Sequence, residues 1–249
     1  MGRIVKNTTR FDVFEWVNPH SCRGCGRIGG VLCKCCKNYI SMDFLNYCPS
    51  CGKANINGKC ENCGLPLLGV FVGGWRGELL GRMAAEYKYH SVRAMGREIG
   101  EVMSRMIPDF VTGATIVPLP TISKHIRERG VDHTKVIAKW FARYKGWEME
   151  PVLVRKGKSV QVGADAKTRE KQAKKAYEIN PKFEIDKNKI YVLFDDVWTT
   201  GSSMKAAAEV LRKNGAEKIV AVVVVANKRL EGEGGEDEVD DGVGEEADY

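Results

Sequence analysis

The stretch IYVLFDDVWTTGSSM, residues 190–204, joins an apolar run to two adjacent aspartates and a turn of hydroxyl residues and glycine. The run IYVLF has no polar alternation, which predicts a strand that is buried on both faces. Four apolar residues after the turn recur at helical spacing: Met204, Ala207, Ala208 and Leu211. Gly215 then predicts the end of that helix. The stretch therefore predicts a buried strand followed directly by a covering helix.

Other apolar runs and amphipathic segments repeat this alternation along the chain. Short apolar runs occupy residues 115–120 (TIVPLP), 151–154 (PVLV) and 219–226 (IVAVVVVA). Three helical stripes precede or separate them: Leu79, Leu80, Met83, Ala84 and Tyr87; Ile99, Val102, Met103 and Met106; and Val136, Ile137, Trp140, Phe141 and Tyr144. Apolar strands separated by helices predict an α/β fold, with a Rossmann-like parallel sheet that is covered by helices on both faces.

The two aspartates, Asp195 and Asp196, stand where such a sheet binds its ligands, at the carboxyl end of a strand. The turn that follows can hold a phosphate with its amides, its hydroxyls and the dipole of the next helix: Thr199, Thr200, Gly201, Ser202 and Ser203. Carboxylates repel phosphates, so one ligand must offer hydroxyls to the acids and phosphate to the turn. A sugar phosphate meets both requirements. The alternative is that Asp196 and Thr199 merely cap and shape the turn.

All nine cysteines fall between Cys22 and Cys63, and eight of them form four CxxC pairs: Cys22/Cys25, Cys33/Cys36, Cys48/Cys51 and Cys60/Cys63. Two such pairs supply the four thiolates of a tetrahedral structural zinc site, so the segment predicts up to two Zn²⁺ ions. Sequential and crossed pairing of the CxxC motifs are both compatible with the spacing, with or without Cys35. Redox activity is the alternative, but none of the four motifs lies in a βαβ setting.

The charge of the chain is divided between a basic body and an acidic end. Residues 231–249 hold ten Asp or Glu and no Lys or Arg, which leaves 39 basic against 22 acidic residues in 1–230. A basic body favours anionic partners, either phosphorylated metabolites or nucleic acid. The acidic end has few apolar residues, which predicts a disordered tail. The sequence shows neither a membrane-length apolar run nor the apolar core of a signal peptide, so we expect a cytoplasmic protein.

The acid pair followed by TTG and hydroxyl residues closely resembles the signature with which type I phosphoribosyltransferases bind 5-phosphoribosyl-1-pyrophosphate (PRPP). Together with the cysteine pairs, it resembles the ComF/GntX family over residues 20–227. Further segments carry the resemblance: WRGELL and YKYHSVR within 75–93, VPLP and RGVDHTKVIA within 117–138, and Gln161 with Arg169 ahead of AYEI. The resemblance implies a type I phosphoribosyltransferase fold that is preceded by a small zinc-ribbon module with four cysteines at each zinc site.

By this resemblance, Asp195 and Asp196 would bind the ribose hydroxyls of PRPP, and Thr199–Ser203 would bind its 5-phosphate. Five residues after VPLP would face the pyrophosphate: Thr121, Ser123, Lys124, Arg127 and Arg129. Arg129 would act with the two acids in catalysis, together with Mg²⁺ that accompanies PRPP. The physical reason is that pyrophosphate gains negative charge as it leaves, and cations stabilise that charge.

Residues 155–175 are polar and lie between two predicted strands, as a lid over PRPP would. Gln161 and Arg169 are the lid residues that the resemblance implies, and closure of the lid would exclude water. The alternative is a surface loop with solvated lysines. Lys88 and His90 are expected only at a basic rim of the site.

Four regions follow: an N-terminal extension 1–17, a double zinc-ribbon module 18–66, a phosphoribosyltransferase domain 67–230 and a disordered tail 231–249. The expected function is Mg-dependent transfer of phosphoribosyl from PRPP to an unidentified acceptor. One alternative is a ComF-like protein that holds single-stranded DNA during DNA uptake, with a regulatory or vestigial PRPP site. Against it, aromatic residues are 8% of the chain and are not interleaved with the cysteines. Another alternative is a regulator that responds to PRPP.

Overall fold

The structure, a computed structural model, describes residues 20–42, 48–53, 59–60, 63–90, 93–107, 111–156 and 176–227. The described residues form six helices and seven strands. In chain order these are α1 (Lys34–Met42), β1 (Gly69–Val72), α2 (Leu79–His90), α3 (Arg93–Met106), β2 (Thr115–Pro118), α4 (Ser123–Arg129), α5 (His133–Lys145), β3 (Glu148–Met149), β4 (Leu153–Arg155), β5 (Tyr177–Ile179), β6 (Ile190–Trp198), α6 (Ser202–Lys213) and β7 (Lys218–Ala226). None of these helices has the length and hydropathy of a membrane span. The predicted extension 1–17 and tail 231–249 lie outside the described residues.

Five strands form one parallel sheet in the order β1-β7-β6-β2-β3. The centre of the sheet is the pairing of β6 with β7, which extends from Ile190 opposite Lys218 to Trp198 opposite Ala226. These two strands are apolar on both faces because other elements cover each side of the sheet. The predicted α/β fold with a parallel sheet is confirmed.

One predicted strand lies outside the parallel sheet. The run at 151–154 contributes to β4, which pairs antiparallel with β5 in a separate two-stranded ribbon. Its apolar composition is that of a buried parallel strand, so the sequence pattern did not distinguish the two arrangements. The strands β1, β3 and β5 were not predicted, because they have only four, two and three residues and show no period.

The sheet separates two layers of buried side chains. On one face, α2, α3 and α5 pack against β-strand residues that include Phe194 and Val222. On the other face, α6 and the β4–β5 ribbon pack against residues that include Leu193 and Val223. The stripes predicted for α2, α3 and α6 face these layers, as expected. Because neighbouring residues of a strand point to opposite faces, each central strand supplies side chains to both layers.

The residues predicted to be buried on α5 differ in part from those that the structure buries. Six residues of this helix are buried: His133, Thr134, Ile137, Ala138, Phe141 and Ala142. Tyr144, which was predicted to be buried, is 44% exposed. The helix α3 approaches α5 closely at Gly100, where an added Cβ would lie 2.6 Å from Trp140 Cβ and 2.9 Å from the backbone nitrogen of Phe141. The rings of Trp140 and Tyr144 lie at the border of the core, whereas Phe141 is buried with the two alanines.

The cysteine-containing segment before β1 packs against α2 and α3. Arg23 donates to the carboxylate of Glu86, with Nε 2.9 Å from Oε2. Lys37 of α1 forms ion pairs with Glu98 and Glu101 of α3, and its Nζ lies 2.6 Å from Glu101 Oε2. Three apolar residues of the segment join the same core as α2 and α3: Val31, Leu32 and Ile40. The segment therefore shares its core with one layer of the sheet.

We predict that Gly100→Ala destabilises the protein by about 1–3 kcal/mol, because the added methyl group would overlap α5. The matched control is Gly77→Ala, where an added Cβ meets nothing within 4 Å. Its free energy of unfolding should stay within about 0.5 kcal/mol of the parent. Urea unfolding at a fixed zinc concentration measures both. Equal stability of the two variants would contradict the close helix contact.

Candidate functional site

The strand β6 carries both predicted acids, Asp195 and Asp196, beyond the end of its neighbour β2. The pairing of β2 stops at Pro118 opposite Phe194. The sequence pattern predicted the acids after the end of the strand, but the structure places them within β6, which continues along β7 for two further residues. On the side of β2 the acids are therefore open to the loop 119–122. This loop leads into the segment that was predicted to face pyrophosphate.

The two acids are half-buried and have different partners. The N–H of Asp196 donates to Asp195 Oδ1 at 2.9 Å. Lys88 Nζ donates to Asp196 Oδ2 at 2.7 Å in an ion pair. Burial, together with the negative charge of Asp196, raises the pKa of Asp195 well above its usual value, and the N–H and the Lys88 charge offset only part of this. Asp196 thus has the cationic partner, whereas Asp195 is the acid whose pKa is raised.

The turn after β6 brings hydroxyl groups to the first turn of α6. Thr199 is exposed, and the hydroxyl oxygens of Thr200 and Ser202 lie 2.8 Å apart. Gly201 occupies the N-cap position with φ of 78° and supplies no capping side chain. An added Cβ would lie 2.4 Å from the ring of Trp198, so glycine is required on steric as well as conformational grounds. The first N–H groups of α6 and the nearby hydroxyls can therefore bind an anion.

Ser203 connects this turn to the β4–β5 ribbon. Its side chain forms a hydrogen bond with Tyr177 of β5. Arg155 of β4 donates from Nη1 to the Tyr177 hydroxyl at 3.4 Å. Burial raises the pKa of Tyr177, and the charge of Asp195 raises it further, which shows that this tyrosine lies near the acids. The predicted lid departs from this ribbon, and its two implied residues lie outside the described residues: Gln161 and Arg169.

The five residues predicted to face pyrophosphate lie in the loop after β2 and along α4. Thr121 is in the loop, where its hydroxyl donates to Asp132 Oδ1 at 3.0 Å. The helix α4 carries the other four in order: Ser123, Lys124, Arg127 and Arg129. Ser123 begins the helix, and the two arginines lie about 6 and 9 Å further along its axis. The structure therefore places Thr121 in the loop after β2, Ser123 at the start of α4 and the two arginines farther along the helix.

Sequence reasoning missed the roles of Lys88 and His133. Lys88 was expected only at a rim, but it pairs directly with Asp196. His133 is 4% exposed and packs edge-on against Tyr87, with ring centroids 4.6 Å apart. Burial and the charge of Arg129 lower the pKa of His133, and the charge of Asp196 opposes them. The sequence held a signal for Lys88, because Tyr87 belongs to the apolar stripe of α2 and Lys88, the next residue, must lie at the border of that stripe.

A cavity of about 290 Å³ lies between the turn and the second half of the cysteine segment. Ser50 and Cys63 contribute to one side of the cavity, and Thr200 and Ser202 contribute to the other. Lys205 of α6 also lines it. The proposed anion-binding turn therefore faces the cysteine segment across this cavity.

The eight paired cysteines form two groups, each with all four sulfur atoms within 4.8 Å of one another: Cys22, Cys25, Cys33 and Cys36; and Cys48, Cys51, Cys60 and Cys63. Three of the sulfur pairs are separated by 3.7, 3.5 and 3.6 Å. A tetrahedral zinc site with Zn–S bonds of about 2.3 Å requires sulfur separations of about 3.8 Å, so both groups fit a zinc ion. The grouping is sequential, and Cys35 is exposed and belongs to neither group.

Residues 154–244 match the family model described as a phosphoribosyl transferase domain. The match begins within β4 and includes β5 to β7, α6, both acids and the turn. The matched residues form the C-terminal part of the chain, and the two cysteine groups precede them. The narrower resemblance to the ComF/GntX family stays a prediction, as does a link to DNA uptake.

Two solved structures are similar to part of the chain. The allosteric regulatory enzyme of purine biosynthesis is 14% identical with a TM-score of 0.38, over 56% of this chain and 30% of that one. The protein TT1426 from Thermus thermophilus is 20% identical with a TM-score of 0.35, over 53% of this chain and 74% of that one. The chain thus spans less than a third of the length of the purine-biosynthesis enzyme. No curated protein matches the sequence.

We predict that the purified chain binds two zinc ions, one in each cysteine group. The variant Cys33→Ser/Cys36→Ser should retain one, because it removes two of the four sulfurs of the first group. The control Cys35→Ser should retain two. Metal content per chain, measured by mass spectrometry after dialysis without chelator, tests the assignment. Loss of an ion in Cys35→Ser would contradict the sequential grouping.

Proposed function

We propose that the protein is a magnesium-dependent phosphoribosyltransferase, which binds PRPP and transfers its phosphoribosyl group to a nucleophilic acceptor. In this reaction the bond from ribose C1 to the pyrophosphate oxygen breaks and a bond from C1 to the acceptor forms. The observation that carries the proposal is the placement of Asp195 and Asp196 directly before an anion-binding turn on the central strand. The match to a phosphoribosyl transferase domain includes these same residues.

The chemistry of the two halves of the site selects the ligand class. Ionised carboxylates only accept hydrogen bonds, so Asp195 and Asp196 suit the vicinal hydroxyls of a ribose. The N–H groups and hydroxyls from Thr199 to Ser203 suit a phosphate at the helix N-terminus. A free nucleoside lacks the phosphate, and inorganic phosphate lacks the hydroxyls. A ribose 5-phosphate unit satisfies both halves.

The loop 119–122 and α4 supply the side on which pyrophosphate would lie. The loop follows the end of β2, which pairs with β6 up to Phe194 just before the acids, and α4 has three Lys or Arg residues with no acidic residue in its first turn. Asp195 and Asp196 offer the oxygen ligands that Mg²⁺ prefers, so the acid pair fits this ion. When bound with PRPP, Mg²⁺ would neutralise charge on the leaving pyrophosphate. We propose that Thr121, Ser123, Lys124, Arg127 and Arg129 assist it.

Fewer observations support the two alternatives, a protein that holds single-stranded DNA and a regulator that responds to PRPP. Net positive charge attracts phosphates of every kind, so the basic body does not distinguish DNA from PRPP. Both alternatives keep a PRPP site but make it regulatory or vestigial. Release of pyrophosphate in the presence of an acceptor separates an enzyme from a regulator.

We predict that PRPP with Mg²⁺ binds saturably to the zinc-loaded protein and that Asp195→Asn/Asp196→Asn weakens this binding by at least about 100-fold. The expected size follows from two lost charge-assisted hydrogen bonds, at about tenfold or more each. The direction of the change in affinity is informative, because removal of two negative charges should strengthen the binding of a simple anion. Calorimetric titration with PRPP, and separately with inorganic phosphate, measures both effects.

The matched control is Glu184→Gln/Glu217→Gln, which removes two exposed carboxylates before β6 and β7, at the opposite edge of the sheet. It should bind PRPP as the parent does. Tighter PRPP binding by the Asp195→Asn/Asp196→Asn variant would show that the ligand is held as an anion alone. Absence of binding in the folded, zinc-loaded parent would contradict the proposed function.

A further inference from the structure

We propose that Lys88 is a positioning residue of this site, whose ion pair holds the Asp196 carboxylate in place and offsets its charge so that two acids and a phosphate-bearing ligand can occupy one site. The inference rests on the proposed function, because it gives Lys88 a part in PRPP binding. It adds a residue from α2, outside the matched domain sequence. Sequence spacing alone placed Lys88 only at a rim.

The burial of the pair supports this role. The side chain of Lys88 is 17% exposed and that of Asp196 is 16% exposed, with Nζ 2.7 Å from Oδ2. Lysine is rarely this buried unless its charge is paired. Its neighbour Tyr87 is 3% exposed and fixed against His133, so the last turns of α2 are held firmly beside β6. Lys88 is therefore held in place by the packing of α2 and is not free to adopt many positions.

The charge of the site explains why such a residue is needed. Asp195 and Asp196 are adjacent, and a phosphate bound in the turn would bring further negative charge to the same strand end. Lys88 supplies a positive charge to one acid from the layer of α2, whereas Tyr177 lies near the other acid from the layer of the ribbon. A carboxylate has acceptor sites for several donors, so the ammonium at Oδ2 leaves capacity for a ribose hydroxyl.

A direct contact between Lys88 and the ligand phosphate is the competing arrangement, and a double-mutant cycle separates the two. If Lys88 acts through Asp196, then Lys88→Met should weaken PRPP binding by about 10- to 100-fold in the parent. In the Asp196→Asn background, the same substitution should cost less than about threefold, because the carboxylate that needs the ammonium is gone. A direct phosphate contact predicts the same loss in both backgrounds.

The experiment is calorimetric titration of PRPP with Mg²⁺ into the four zinc-loaded proteins of the cycle, at one pH and ionic strength. Lys88→Arg, which restores the charge, should recover most of the affinity. Lys139→Met removes the same charge from an exposed position on α5 and should bind as the parent does. Thermal unfolding confirms that each protein is folded, and Lys88→Gln replaces Lys88→Met in the cycle if the latter does not fold.

The outcomes distinguish this inference from the proposed function. A parent that binds PRPP, with a loss on Lys88→Met that depends on Asp196, supports both. A parent that binds PRPP and shows equal loss in both backgrounds, or no loss, overturns the role of Lys88 and leaves the proposed function intact. A folded, zinc-loaded parent that does not bind PRPP overturns the proposed function, and the role of Lys88 with it.

Discussion

The parallel pairing of β6 with β7 is the constraint on which the rest of the structure depends. The nine residues of each strand supply side chains to both layers of the core, and both strands continue past the end of β2. This extra length carries Asp195 and Asp196 to an edge that is paired on one side and open on the other. The same pairing sets the position of Trp198, whose ring fills the space beneath Gly201. The turn and the acids are therefore positioned by the hydrophobic centre of the sheet, and not by the loop alone.

The site places like charges close together, and the structure reduces the cost in two ways. Asp195 has a raised pKa, so a proton can neutralise it, while Asp196 is neutralised by Lys88. Because this raised pKa lies above the unfolded value, Asp195 stabilises the folded state at low pH, and its ionisation destabilises that state as the pH rises through the folded value. A ligand that brings a cation with its phosphates would change the balance of charge at the two acids. Under the proposed function, this arrangement favours sugar phosphates over simple anions.

Much of the fold could be predicted from the sequence, because long apolar runs and helical stripes report burial directly. The central strands and the helices α2, α3 and α6 follow from such patterns, and the grouping of the cysteines by fours follows from the CxxC pairs. The antiparallel pairing of β4 could not be predicted, because it depends on the partner strand β5. This strand has only three residues, and its sequence shows no hydrophobic period. The stripe of α2 places Lys88 at its border, but the ion pair with Asp196 could not be predicted, since it depends on how α2 lies across the sheet. His133 was overlooked for the same reason, as its neighbours come from α2 and β6.

The cysteine segment contacts the site from two directions. Its first group packs on α2, through Arg23 with Glu86 and through apolar contacts with Leu79, and α2 is the helix that ends beside Asp196 with Lys88. Its second group faces the proposed anion-binding turn across the cavity, through Ser50 and Cys63. Four thiolates leave no open position on a zinc ion, so neither group offers a catalytic metal. The segment thus packs against the helix that carries Lys88 and forms a wall beside the turn.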